Sequence, residues 1–323
     1  MLNFMAGKLA VINPSDKPTL QSVKNIVLSG GGSKGRAYQS VLAFLEQNNV
    51  KLQNVAGASA GAITAYLIAL GYTAAEVAKI LAEKNLGDFL DSKVDLQAVI
   101  ADPKTLLNPL HVLWTGYLIR DIVSDYGIAN GRAIKKWFKD LAVGKGFSPD
   151  VTFKQLYDRT GIGLFVINCN LSRGVYAIRS WQHSPDLSVV LAIRTSMSIP
   201  LAFDPEIING EYWVDGGTTL NYPIGLFDDL GFAPNETVGF MTSKKEDVTN
   251  PQPKEIKNVV GYLGALYSTF SNTSYDAMIK AGNTNRTIFI DPMGVGTLEF
   301  KIPANKLTDI LVSATKACEA FFK

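Results

Sequence analysis

Histidine and cysteine are scarce: His111, His183, Cys169 and Cys318 are the whole supply in 323 residues. Two cysteines exclude a disulfide framework, and without a Cys/His cluster no zinc site and no other metal is expected. An excess of one charge is missing as well, since 31 basic and 29 acidic residues leave a net +2. No strong field is available to draw in nucleic acid, so no nucleic-acid partner is expected. No apolar run approaches the roughly 20 residues of a membrane span. The N-terminus (MLNFMAGKLAVINPSDKPTL) lacks a sustained apolar core ending in a small-residue cleavage site. The chain therefore reads as a soluble product made in the cytoplasm, with signal-peptide-independent export left open. The remaining composition, 47% hydrophobic and 19% charged, is that of a globular protein with a large core.

Glycine is not scarce, and two clusters of it organise the chain. Gly57-Ala58-Ser59-Ala60-Gly61 follows the short alternating run 51–56 (KLQNVA) and precedes Ala62 to Leu70, rich in Ala, Ile and Leu. A Gly-x-Ser-x-Gly pentapeptide between a strand and a helix is a nucleophile elbow. Its tight turn leaves almost no room for flanking side chains. It also lifts the serine hydroxyl to the positive end of the following helix. The same letters describe a small-residue turn, so the rest of the chain must decide.

The second cluster, Gly30-Gly31-Gly32-Ser33-Lys34-Gly35, follows the β-rich run 24–29 (KNIVLS) and opens an amphipathic helix over 36–47. Its backbone N–H groups form a nest for an anion. The spacing also fits a dinucleotide fingerprint, but that motif wants an acidic residue about 20 positions on, and 51–57 holds none. A Walker-type loop fails because Gly35 follows Lys34. The nest reads better as an oxyanion hole serving Ser59, and no cofactor is expected.

Further on, Thr73/Glu76 and Thr152/Gln155 are capping boxes that open helices. Residues 88–127 are irregular and include the apolar stretch 106–118 (LLNPLHVLWTGYL), a lid over an acyl pocket or an ordinary excursion of the core. The nearly unbroken apolar run 162–170 predicts a strand buried on both faces. Ser184-Pro185 predicts a helix start, running to about Ser196. Asn209-Gly210 predicts a hairpin leading into Asp215-Gly216-Gly217. Strands are expected over 237–242 and 287–291, helices over most of 253–281 and over 304–322.

An activated serine needs a base. In the Ser-acid-His order of α/β-hydrolases a histidine follows the acid, and no histidine follows Asp215. His183 sits at a strand-to-helix junction and reads as a surface or capping residue. Asp215 ends a predicted strand, and the two glycines after it let backbone approach and fix the carboxylate. Burial beside the nucleophile would raise its pKa toward neutrality, as a base for a hydroxyl requires.

Together these pieces resemble the patatin-like phospholipase family: the glycine-rich 30–35 after the first strand, the 57–61 pentapeptide, and Asp215-Gly216-Gly217 followed by Asn221 and Pro223. Thr195-Ser196-Met197-Ser198-Ile199-Pro200 is similar to the family's Ala-Ser-x-x-x-Pro segment, with Thr195 where Ala is usual. The resemblance covers about residues 23–323, after an N-terminal arm at 1–22. It implies a three-layer α/β/α fold with a central, mostly parallel sheet and a helical cap-like insertion at 88–150. It implies a phospholipase A or lysophospholipase that cleaves carboxylic esters, with Ser59 as nucleophile and Asp215 as base. Gly31 and Gly32, with Gly30, would hold the oxyanion, and Lys34 or Arg36 would meet the lipid phosphate. The expected partners are a phospholipid or lysophospholipid substrate and a membrane surface, docked through Leu113, Trp114 and Tyr117. An acyltransferase using the same acyl-enzyme, and an effector that needs a protein activator, are the alternatives.

Overall fold

A computed structural model of the chain describes residues 17–84, 124–253, 256, 259–297, 299 and 301–323. The strands are β1 (Asn25–Leu28), β2 (Asn54–Gly57), β3 (Gly127–Ala129), β4 (Gly163–Asn170), β5 (Val175–Arg179), β6 (Leu201–Phe203), β7 (Glu206–Ile208), β8 (Glu211–Asp215), β9 (Thr237–Met241) and β10 (Thr287–Phe289). The helices are α1 (Tyr38–Gln47), α2 (Ala60–Ala69), α3 (Ala74–Glu83), α4 (Arg132–Gly144), α5 (Phe153–Thr160), α6 (Val189–Ser196), α7 (Leu226–Asp229), α8 (Lys245–Thr249), α9 (Val259–Lys280) and α10 (Ala304–Phe322).

Eight strands make one sheet in the order β10-β9-β1-β2-β4-β8-β7, with β5 also paired to β4. From β10 to β4 every pairing is parallel, whereas β5 and β8 run antiparallel to β4 and β7 antiparallel to β8. Strands alternate the faces they present. Ile26 and Leu28 of β1 join one core with α1, α2 and α10, while Val27 joins another with α7 and α9. Leu164 and Val166 of β4 part from Phe165 in the same way. Both faces are therefore covered, which is why these strands read as continuous apolar runs. The result is the three-layer α/β/α arrangement the fold class called for.

Local chemistry sets several boundaries as expected. Both capping boxes form, with Glu76 N–H donating to Thr73 Oγ1 at 3.2 Å and Gln155 N–H to Thr152 Oγ1 at 3.3 Å. Asn209 and Gly210 take φ of 54° and 77°, the two positive values a tight hairpin between β7 and β8 requires. The helix expected from Ser184 instead begins at Val189, capped by Ser188 Oγ, which accepts from Leu191 N–H. Residues 184–187 form a turn, with Leu187 N–H donating to the Ser184 carbonyl at 3.1 Å. The carbonyls of Pro185 and Leu187 accept the N–H groups of Lys154 and Phe153 at the start of α5 rather than continuing a helix. The arm is described only from residue 17, and the insertion at 88–150 only from residue 124. His111 and the patch of Leu113, Trp114 and Tyr117 lie outside the described residues.

Candidate active site

In the parallel pairing of β1 and β2, Leu28 stands opposite Gly57, so both glycine clusters leave the sheet side by side. Ser59 has φ 49° and ψ −122°, a conformation a side chain makes costly by about 1–3 kcal/mol. The neighbouring glycines are needed for close approach. A β-carbon on Gly57 would lie 2.3 Å from the Gly61 carbonyl carbon, and one on Gly61 would lie 2.2 Å from the Leu28 carbonyl oxygen. Ser59 N–H donates to Ser196 Oγ at 3.0 Å, and Ser196 in turn donates to the Ile167 carbonyl at 2.6 Å. The strained turn is thus tied to β4 through α6.

Register brings the acid to the serine. Gly57 pairs with Val166 on one side of β4, and Asp215 pairs with Asn168 on the other. Ser59, two residues beyond Gly57, comes level with Asp215 across the top of β4. Asp215 is fully buried, and its Oδ1 accepts the Gly217 N–H at 2.6 Å. The Ser59 hydroxyl and the Tyr267 phenol of α9 also interact with the carboxylate and draw its pKa down, but burial outweighs both and pushes it up to about 7. Oδ2 has no fully formed hydrogen bond among the described residues. Catalytic hydrogen bonds of an unliganded site commonly tighten only with substrate.

The glycine-rich turn faces the same point. Gly30 N–H donates to the Asn221 carbonyl at 3.2 Å, whereas the N–H groups of Gly31 and Gly32 donate to no backbone carbonyl among the described residues. Gly32 has φ 56°, and a β-carbon there would lie 2.1 Å from the Thr297 carbonyl oxygen, which accepts the Ser33 N–H at 2.9 Å. Ser59 opens into a cleft of about 730 Å³, counted to its open mouth. Its wall is apolar, with Ile63 and Leu67 of α2, Ile134 and Trp137 of α4, and Ile199 and Phe203 beyond α6. Arg36 lies on this wall, with Nε buried and unpartnered among the described residues and its pKa lowered by burial. Lys34, half-buried in the same turn, is not on the wall. His183 is engaged elsewhere, its Nδ1 2.8 Å from Ser180 Oγ.

Ser59, Gly32 and Arg36 therefore line one opening, Asp215 is buried beside Ser59, and Gly30 and Gly31 are not on the wall. Ser196, the brace of the elbow, was read from the sequence only as part of the 195–200 segment, without a role, and Tyr267, beside the carboxylate, was not singled out.

Comparison with known proteins bears on the family and the fold. The model of the family described as patatin-like phospholipase matches residues 26–228. An uncharacterized protein of Acanthamoeba polyphaga mimivirus, R571, is 28% identical over 276 residues, covering 83% of this chain and 82% of the relative. A probable lipid hydrolase of Invertebrate iridescent virus 6, 463L, is 27% identical over 204 residues, 63% of this chain and 62% of the relative. Among solved structures, VipD from Legionella pneumophila shares the fold with a TM-score of 0.57 at 18% identity, over 93% of this chain and 67% of that one.

Proposed function

This chain belongs to the patatin-like phospholipase family, and from that premise we propose that it hydrolyses carboxylic esters of phospholipids or lysophospholipids through a Ser59 acyl-enzyme. The observation that carries the reading is a serine held at positive φ beside a buried carboxylate at the head of an apolar cleft. A carboxylate with its pKa near 7 is matched to taking a proton from a hydroxyl at neutral pH.

In the first step Ser59 Oγ forms a bond to the ester carbonyl carbon and its proton passes to Asp215. The negative charge that develops on the carbonyl oxygen is met by the N–H groups of Gly31 and Gly32, at the end of β1. Gly30 holds the loop instead, its N–H already donating to the Asn221 carbonyl. Losing one such donor typically raises the barrier by about 2.7–4 kcal/mol. The ester C–O bond then breaks, and Asp215 returns the proton to the departing alcohol oxygen. Water attacks the acyl-enzyme by the same route, giving its proton to Asp215, and Ser59 leaves protonated. The fatty-acyl chain lies along Ile63, Leu67, Ile134 and Trp137, and Arg36 meets the lipid phosphate from the wall. Residues 23–323 act as one catalytic unit, to which the 88–150 insertion contributes Ile134 and Trp137. Membrane contact follows from where the substrate resides, at the surface of a bilayer.

The test is fatty-acid release from mixed phospholipid vesicles by the wild type, Ser59→Ala and Asp215→Asn, with and without a cell extract. Release by the wild type and loss of at least about 1,000-fold in both variants is expected, by comparison with other sites that lose a nucleophile or its base. Activity only with extract would reveal an activator, and acyl groups moved to an added lysolipid would reassign the reaction to transfer. Activity surviving in Ser59→Ala would overturn the reading.

A further inference from the structure

Helix α9 lies beyond the 26–228 stretch matched by the family model, yet one of its side chains reaches the acid. Tyr267, Ser271 and Tyr275 recur every four residues and so share one face of the helix. That face packs over the turn at Gly216–Thr218, while Tyr262, Leu266 and Phe270 are exposed on the other side. A β-carbon built on Gly217 would sit 2.7 Å from the Tyr267 hydroxyl, 3.0 Å from Asp215 Oδ1 and 2.7 Å from Asn221 Oδ1. Those three polar atoms thus surround one point above Gly217, where the absence of a side chain lets them converge. The Tyr267 hydroxyl also interacts with Ser59.

We propose that Tyr267 is a positioning residue of the dyad: its phenol O–H donates to the Asp215 carboxylate and keeps it ionised and aimed at Ser59. The inference rests on the Ser59–Asp215 reading given above. A phenol suits this place because it is a neutral donor at working pH. Burial first, and then the charge of Asp215, raise the Tyr267 pKa well above its usual 10, so it keeps its proton. The other titratable group facing Asp215 is the Cys169 thiol of β4, which burial pushes up first and the carboxylate raises further, so it too stays neutral. Among the described residues no cation shares the carboxylate, and the Gly217 hydrogen bond together with the neighbouring hydroxyls of Ser59 and Tyr267 is what opposes its desolvation.

Tyr267→Phe removes the donor and keeps the ring. Its expected signature is an ascending limb of the kcat/KM pH profile displaced upward by about one unit, the size of one hydrogen bond to an ionised carboxylate. Vesicle hydrolysis should then fall about tenfold more at pH 6 than at pH 9. Tyr262→Phe, on the exposed face of the same helix, should leave the limb in place. A ¹³C titration of the aspartate carboxyls, with Asp215→Asn to assign the signal, reads the same midpoint without turnover. Equal losses at both pH values together with an unmoved carboxyl midpoint would overturn the proposal. If the wild type hydrolyses no vesicle lipid at any pH, the functional reading fails, and the carboxyl titration still decides the role of Tyr267.

Discussion

The two sides of the Ser59 opening are made of different material. On the side of β1 and β2 the wall is backbone: the glycine turn at 30–32, and an elbow that exists because Gly57 and Gly61 carry no β-carbon. On the side of β8 and α9 it is side chains: Asp215, Asn221 and Tyr267 meet around Gly217, and Tyr275 holds Asn221 from behind. A backbone wall is held by steric contact and fails when atoms are added. A side-chain wall is held by hydrogen bonds and burial, and it answers to pH. Each side should therefore break in its own way.

The largest effect is expected from adding one methyl group to the first side. In Gly61→Ala the new β-carbon would lie 2.2 Å from the Leu28 carbonyl oxygen and 2.8 Å from that of Ser29, both backbone atoms that cannot turn aside. Destabilisation of about 3 kcal/mol or more is expected in chemical denaturation. Any folded fraction should be at least about 100-fold slower, because the elbow shifts Ser59 from its place. Gly71→Ala is the comparison: φ is +81° but nothing lies within 4 Å, so only the local strain of about 1 kcal/mol remains. Equal effects at the two positions would mean that close packing is not what the elbow glycines supply.

On the second side, the pKa of Asp215 makes stability depend on pH. Burial raises it from 3.8 to about 7 in the folded state, so folding favours the protonated form. That contribution is fully present below about pH 4 and is lost as pH rises through 7, where a charge must stay buried. Asp215→Asn removes the charge. Its melting temperature should exceed that of the wild type at pH 8, by up to about 4 kcal/mol in stability, and the gain should vanish near pH 4. An advantage that does not change with pH would show that the carboxylate bears no burial penalty. Loss of activity with gain of stability in one variant is the mark of a group buried for chemistry rather than for folding.

The contrast between the two walls also explains what could be read from the sequence. Gly57, Gly61 and Gly32 were visible because a close approach leaves a gap in the side chains, at a spacing that few other structures need. Asp215 was visible through the glycines after it. The hairpin at Asn209-Gly210 and the capping boxes were legible because they are written within four residues. The start of α6 was not, since the carbonyls of the turn at 185–187 serve α5, some thirty residues earlier in the chain. Tyr267 was hidden for a similar reason. A tyrosine in a helix free of charge from 259 to 275 reads as packing, and its partner lies on a strand 52 positions earlier, related to it only by the fold.

Tyr275 offers the smallest effect and the finest test of how the two walls are joined. Its hydroxyl accepts from Asn221 Nδ2 at 2.7 Å, and the same amide reaches the Gly30 carbonyl at 3.4 Å. Asn221 also accepts the Gly30 N–H on its backbone carbonyl. Tyr275 therefore bears through Asn221 on the glycine loop, not on the acid, although it sits two turns from Tyr267 on the same face of α9. Tyr275→Phe leaves the Asn221 amide short of one neutral partner, a loss worth about 0.5–1.5 kcal/mol. The expected result is a rate lower by roughly two- to tenfold at every pH, with the ascending limb unmoved. A limb that moves as in Tyr267→Phe would mean that α9 acts on the site as one rigid body. A limb that stays would mean that one helix serves the two walls through separate side chains, one tuning a proton and the other holding a loop.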